Sequence, residues 1–207
     1  MALTLCLLRH AAHDHPADML CGTRPGVALS AAGRRQAACL ARRFPPGSLD
    51  GLLASPVQRC QETAAAVGAA CGLQPETAPA AREVDFGAWT GQRFATLEQD
   101  ARWHAWNHHR DEAGAPGGEA MQQVRARVLA LLEAVLQRHP TGRIAIVSHA
   151  EIIRTAILCV LGLPLRAYGR VEVDVASIST LRLWPGGGKL LTLNDAAHLH
   201  ALEAVVA

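Results

Sequence analysis

Apolar residues fall in short runs between polar breaks along this chain, and two of the runs stop at the same kind of junction. Leu3-Thr4-Leu5-Cys6-Leu7-Leu8 ends in Arg9-His10, and Ile144-Ala145-Ile146-Val147 ends in Ser148-His149. Runs of this length with polar breaks predict buried strands of a parallel or mixed sheet. Helical patterns lie between the strand patterns. Ser30 stands as N-cap before a segment whose Ala37, Leu40, Ala41 and Phe44 share one face, and Pro45-Pro46-Gly47 stops it. Residues 51–54 predict a short strand, followed by a helix with Ser55 as N-cap and Pro56 at N1 that runs to Gly72. Residues 74–118 are less regular. Met121, Val124, Val128, Leu131, Leu132 and Val135 then mark a long amphipathic helix. The second junction feeds a helix of about four turns, from His149 towards Leu161, closed by Gly162 and Pro164. The stretch from Arg170 to Leu193 alternates apolar and polar residues around a turn at 185–188 and predicts edge strands.

Strand and helix patterns that alternate point to an α/β fold, and 207 residues suit one domain spanning 1–207. In open α/β sheets the ligand sits outside the carboxyl ends of the strands. Two such strands would deliver His10 and His149 to one rim, whatever their separation in sequence. Composition narrows the ligand. Half the residues are hydrophobic and 18% charged, which argues against disorder, and a net charge of +2 is no nucleic-acid footprint. Recognition of an anion must therefore be local. The six cysteines, at 6, 21, 39, 60, 71 and 159, form no CxxC pair, a pattern of reduced cytoplasmic thiols rather than disulfides or a zinc site. No apolar stretch approaches membrane-spanning length, and the opening run lacks the basic n-region of an export signal. A cytoplasmic protein with neither nucleic acid nor membrane as partner is expected.

Arg59 falls in the first turn of its helix, where free N–H groups and the macrodipole already favour anions. A guanidinium there makes a bidentate phosphate clamp that lysine cannot reproduce, and Arg9 adds a second cation beside His10. Two arginines can neutralise a phosphoryl dianion, so no metal or other cofactor is expected. Their fields also disfavour the imidazolium of His10, leaving a ring nitrogen free to attack phosphorus. The segment Arg82-Glu83-Val84-Asp85-Phe86-Gly87 supplies carboxylates to protonate a leaving group and later deprotonate water; Glu83 is the first choice and Asp85 the second. Three features stay open. His13-Asp14-His15 reads as a metal cluster or a polar rim. Trp103–His109 reads as a substrate entrance or as a helix packing its indoles on the body. Glu119 reads as a cap for the long helix.

Taken together, Arg9-His10 after the first strand, Ser55-Pro56-x-x-Arg59-x-x-x-Thr63-Ala64, the Glu83/Phe86-Gly87/Trp89/Gly91 segment and Ser148-His149 resemble the histidine phosphatase superfamily, also called phosphoglycerate mutase-like. The order is the family's, and smaller matches at 29–37, 116–120 and 193–195 extend it over nearly the whole chain. The resemblance implies a three-layer α/β/α sandwich around a mostly parallel mixed sheet and a metal-free phosphohistidine mechanism. His10 would be the nucleophile, Arg9, Arg59 and His149 the phosphate pocket, and Glu83 the proton donor. Gly22, Thr23 and Arg24 lie in a loop resembling phosphatase-type members and would contact substrate. The chain departs from the family at His10-Ala11-Ala12-His13, where His-Gly-Glu-Thr is common, and at Pro16 in place of an asparagine. The implied function is hydrolysis of a small phosphorylated metabolite, with α-ribazole phosphate, sugar phosphates, phosphoglycerate and phosphoserine as candidates and a homodimer left open. A phosphoglycerate mutase is the first alternative, but only 66 residues separate Glu83 from His149, short for a mutase lid. A non-catalytic phospho-ligand or partner-binding module is the second.

Overall fold

The computed structural model describes residues 1–200. The strands are β1 (Leu3–Arg9), β2 (Gly51–Ala54), β3 (Glu76–Thr77), β4 (Arg143–Ser148), β5 (Ile178–Trp184) and β6 (Gly187–Asp195). The helices are α1 (Ala31–Ala41), α2 (Gln58–Cys71), α3 (Phe94–Leu97), α4 (Ala101–His108), α5 (Met121–Arg138) and α6 (Ala150–Val160). They form one six-stranded sheet in the order β3-β2-β4-β1-β5-β6. β1 and β4 pair in parallel with Arg9 opposite Ser148, so the residues that follow them leave the sheet side by side. β4 also pairs in parallel with β2, and β2 with β3, whereas β5 runs antiparallel to both β1 and β6.

Both faces of the sheet are covered, which is why β1 and β4 read as continuous apolar runs rather than as alternation. Leu3, Leu5, Leu7, Ile144 and Ile146 pack into one core with Val124 and Val128 of α5 and Ile153 and Ile157 of α6. Cys6, Leu8, Ala145 and Val147 face the other way, into a core with Leu40 of α1 and Ala64 and Val67 of α2. The result is the expected α/β/α sandwich with a mostly parallel sheet. Among the described residues no helix is long and apolar enough to cross a membrane.

Three local expectations need correction. Ser30 does cap α1, accepting from Gly33 N–H, but Ser55 does not cap α2. The backbone N–H of Ser55 still pairs with Val147 O, and α2 starts only after Val57. The helix after His149 has 11 residues, nearer three turns than four. The stretch 170–193 does supply two paired strands, but only β6 is an edge strand; β5 lies inside the sheet between β1 and β6. Its alternation records different surroundings on its two faces, not exposure of its backbone.

Candidate active site

The carboxyl ends of β1, β2 and β4 deliver their following residues to one rim. His10 leaves β1 with its N–H on Ser148 O, at 2.9 Å, and its carbonyl accepting from Ala176 N–H, at 3.1 Å. The turn behind it is fixed by α1 and α2. Ala11 N–H donates to Thr63 Oγ1 and Ala12 N–H to Gln36 Oε1. Gly33 lets α1 approach so closely that a Cβ there would lie 1.8 Å from Ala12 O. His149 takes the position before the first turn of α6 and is fully buried, and Arg59 rises from the first turn of α2 with only 1% of its surface exposed.

Arg59 joins the two histidines. Its Nε–H donates to His10 Nε2 at 3.1 Å, and Nη2 donates to His149 Nδ1 at 3.0 Å and to Gly22 O at 2.8 Å. Nη1 reaches Cys21 Sγ at 3.5 Å. The opposite ring nitrogens have partners as well. His10 Nδ1 lies 2.9 Å from Ala11 O and must be the protonated one, because a carbonyl only accepts. His149 Nε2 lies 2.8 Å from Ser55 Oγ, so the serine expected to cap a helix orients this ring instead. The network thus assigns Nδ1–H to His10 and Nε2–H to His149, both neutral. Burial does most to hold the two rings below the usual histidine range. The Arg59 charge adds to this for His10, and His10 and then Arg59 for His149. The expected effect of the arginine field is therefore present but second to desolvation. A contact of 3.7 Å between His149 Nδ1 and Glu83 Oε2 is not an ion pair, since that nitrogen already accepts from Arg59.

Glu83 is buried beside His149, with Oε1 accepting from Val84 N–H at 2.9 Å. Burial, then the charge of Glu151, push its pKa up to about 7, against the pull of Arg59, Val84 N–H and Arg9. Such a carboxyl can both give and take a proton near neutrality. Its folded-state pKa exceeds the ordinary value of about 4.3, so the associated stability is present at low pH and is lost as pH rises towards about 7. Glu83→Gln should therefore raise the melting temperature at pH 8, on the order of 5 °C, with a gain that shrinks towards pH 4 in thermal scans. A gain independent of pH would contradict the buried-carboxyl assignment.

The loop carrying Glu83 is held by a residue that sequence reading missed. Arg127 of α5 donates to Ala80 O, Arg82 O and Glu83 O and pairs with Glu119 at 2.8 Å. Glu119 in turn accepts from Asp85 N–H, so it clamps the loop and does not cap α5; Gln123 does that through Ala120 N–H. The only signal for Arg127 was a charged residue on the amphipathic helix. Asp85 serves the loop too, accepting from Gly87 N–H, while Gly87 (φ +50°) passes so near the 116–118 turn that a Cβ would lie 2.2 Å from Pro116 O.

The other expected residues are close but differently used. Arg9 donates to Val173 O at 2.7 Å, and its charge acts on both His10 and Glu83. Gly22 enters the pocket by its carbonyl. Thr23 and Arg24 line an adjoining cavity of about 390 Å³ with Pro56, Gln58 and Arg82. The His13 ring lies 5.5 Å from that of His10, and its pKa is pushed down to about 4 by partial burial and by Arg59. No cluster of three or more His, Cys, Asp or Glu side chains able to hold a metal occurs among the described residues. Trp103 and Trp106 both pack edge-on against Trp89, so this helix packs its indoles on the body. A larger cavity, about 830 Å³, lies at the far end of the sheet between α5, α6 and the β5–β6 turn, away from this chemistry.

Comparison with known proteins adds a family and several relatives. The model of the histidine phosphatase superfamily (branch 1) matches residues 5–196. Phosphoserine phosphatase 1 of Hydrogenobacter thermophilus is 28% identical over 173 residues, covering 83% of this chain and 82% of that protein. A Cronobacter sakazakii protein named "Probable phosphoglycerate mutase GpmB" is 29% identical over 206 residues, 96% of each chain. The crystal structure of the α-ribazole phosphatase from Shigella flexneri superposes with a TM-score of 0.83 at 27% identity, covering 93% of this chain and 96% of that one.

Proposed function

The chain belongs to the histidine phosphatase superfamily, and from that premise we propose that it is a phosphomonoester phosphatase acting through a phosphohistidine on a small phosphorylated metabolite. The observation that carries this reading is the bridge Arg59 makes between His10 Nε2 and His149 Nδ1, with a buried carboxyl beside them. The substrate's phosphoryl oxygens take over the guanidinium donors now spent on the imidazoles, which frees the Nε2 lone pair. Nε2 attacks phosphorus, the ester P–O bond breaks, and Glu83 gives its proton to the departing oxygen. Water then attacks the phosphohistidine and passes a proton to Glu83, and inorganic phosphate leaves from a free His10. Arg9 and Arg59 hold the charge on the equatorial oxygens throughout, and His149 joins them as the Nδ1–H tautomer, its Nε2 then accepting from the Ser55 hydroxyl. Gly22, Thr23 and Arg24 contact the leaving group. The six free thiols favour a cytoplasmic setting, and the two cores on one sheet favour a single domain.

The leaving group tests the acid. An alkoxide must be protonated as it departs, whereas nitrophenolate leaves unaided. Glu83→Gln should slow single-turnover phosphorylation of His10 by an alkyl phosphate roughly a hundred- to ten-thousand-fold, and by 4-nitrophenyl phosphate only mildly. Equal losses would assign Glu83 to positioning and turn attention to Asp85. Product analysis with 3-phosphoglycerate separates hydrolysis from mutase chemistry: inorganic phosphate is expected, and an isomeric monophosphate in its place would overturn the phosphatase reading.

A further inference from the structure

The Arg9–His10 junction leans on a loop whose fastening none of the steps above uses. Residues 171–177 run beside the end of β1. Arg9 N–H donates to Ser177 O at 3.2 Å, Ala176 N–H donates to His10 O at 3.1 Å, and Arg9 Nη1 donates to Val173 O at 2.7 Å. Arg9 Nε, by contrast, is buried and has no partner among the described residues. The loop carbonyl thus engages one nitrogen of the guanidinium and leaves the Nε–Nη2 edge, the side that meets two phosphoryl oxygens in a fork. Val173 O aims Arg9, and it is only as fixed as the loop that carries it.

That loop is tied down from β6. Ile178 pairs with Asp195 and Thr180 with Thr192, so Leu193 and Asn194 together stand opposite Ser179 alone. A bulge of this kind bends a strand and re-aims a side chain. Asn194 takes φ +53° there, a conformation asparagine tolerates better than most residues. Its N–H donates to Ser179 Oγ at 3.1 Å. Its amide grips Asp174 at both ends: Oδ1 accepts from Asp174 N–H at 2.6 Å, and Nδ2 donates to Asp174 Oδ2 at 2.7 Å. His198 adds a second tie, its Nε2 donating to Ala176 O at 3.0 Å. The two bonds to Asp174 are exposed, so water competes for them and their worth to global stability is small.

We propose that Asn194 is a positioning residue for the phosphate pocket: by gripping Asp174 it fixes the adjoining Val173 carbonyl, and with it the direction of the Arg9 guanidinium. Asn194 touches neither the substrate nor Arg9 and acts through one residue of chain. Such aim matters, because a group displaced by about 1 Å can cost roughly a hundredfold in rate. The family match at 193–195 thereby has a physical use at its central residue.

This inference rests on the proposed function only for what Arg9 does once aimed, and its test reads the guanidinium directly. In ¹H–¹⁵N spectra Arg9 Nε–H should give one sharp signal, assigned by its loss in Arg9→Lys. Asn194→Gly keeps the left-handed backbone and removes the amide. It should shift or broaden that signal and lower kcat for an alkyl phosphate roughly ten- to a hundredfold, while Tm moves by only a few degrees. Asn194→Asp should do the same, since it sets carboxylate against carboxylate. Adding Asp174→Asn to Asn194→Asp restores a donor facing an acceptor and should recover both signal and kcat. Should Asn194→Gly not fold, Asn194→Asp and this exchange carry the same test. In an Arg9→Lys background, loss of the Asn194 amide should cost no more than roughly twofold further, because no fork is left to aim. An Arg9 signal unmoved by loss of the amide, an exchange that recovers neither property, or an equal loss of kcat without the guanidinium overturns the inference and leaves the phosphatase reading standing. Absence of phosphomonoester turnover in the unmodified protein overturns the phosphatase reading, and the Arg9 signal still decides the grip of Asn194.

Discussion

Replacing His10 by alanine is expected to lower phosphomonoester turnover on the order of 10⁴- to 10⁶-fold, the scale seen when a covalent nucleophile is removed from an intact site. The bond that would be lost is specific. His10 Nδ1–H is held on Ala11 O, so the phosphoryl group must be taken by Nε2, the nitrogen now facing Arg59. Rapid quenching without acid, followed by mapping, should find the adduct at residue 10 on Nε2, stable in base and labile in acid. In His10→Ala both adduct and turnover should vanish. His10 makes two of its structural bonds through its backbone, to Ser148 O and from Ala176 N–H, and alanine keeps both. Circular dichroism of the variant should therefore remain native. A His10→Ala protein with native spectra and most of its activity would rule out the double displacement.

Arg59→Lys is expected to cost on the order of 10²- to 10³-fold in kcat, comparable with removing a preorganised oxyanion donor, although the charge is kept. The reason is geometric. Arg59 reaches His10, His149, Gly22 and Cys21 from three nitrogens of one plane, and it is buried. An ammonium cannot place donors at those separations, and equatorial phosphoryl oxygens present the same demand as charge spreads in transfer. The two imidazoles would also lose the donor that fixes their orientation. Steady-state kinetics at several substrate concentrations distinguish the alternatives: the predicted result is a fall in kcat as well as a rise in KM. A change confined to KM would show that Arg59 only docks the ground state.

Much of this architecture is legible along the chain because it is written in local periods. β1 and β4 announce themselves as unbroken apolar runs, since a strand buried on both faces has no polar side to show. The position of Arg59 in a first turn, the cap at Ser30 and the stop at Gly162 are likewise set by backbone geometry within a few residues. The two junctions at His10 and His149 followed from those strands, because parallel neighbours end at one rim. The rest is decided by what packs against what. Ser55 is a plausible cap by its neighbours, yet its hydroxyl goes to a histidine 94 residues away. Arg127 looks like one more polar helix residue until the Glu83 loop, some 44 residues earlier, folds onto it. β5 alternates like an edge strand and lies inside the sheet, since alternation reports the faces of a strand and not its hydrogen-bonded neighbours. The sequence alone therefore determined which residue types reach the rim. Only the tertiary structure decided which nitrogen of His10 is free, that burial outweighs the arginines in keeping the histidines neutral, and that Glu83 titrates near neutrality. Those properties depend on excluded water and on charges brought close from distant parts of the chain, and no local pattern encodes either.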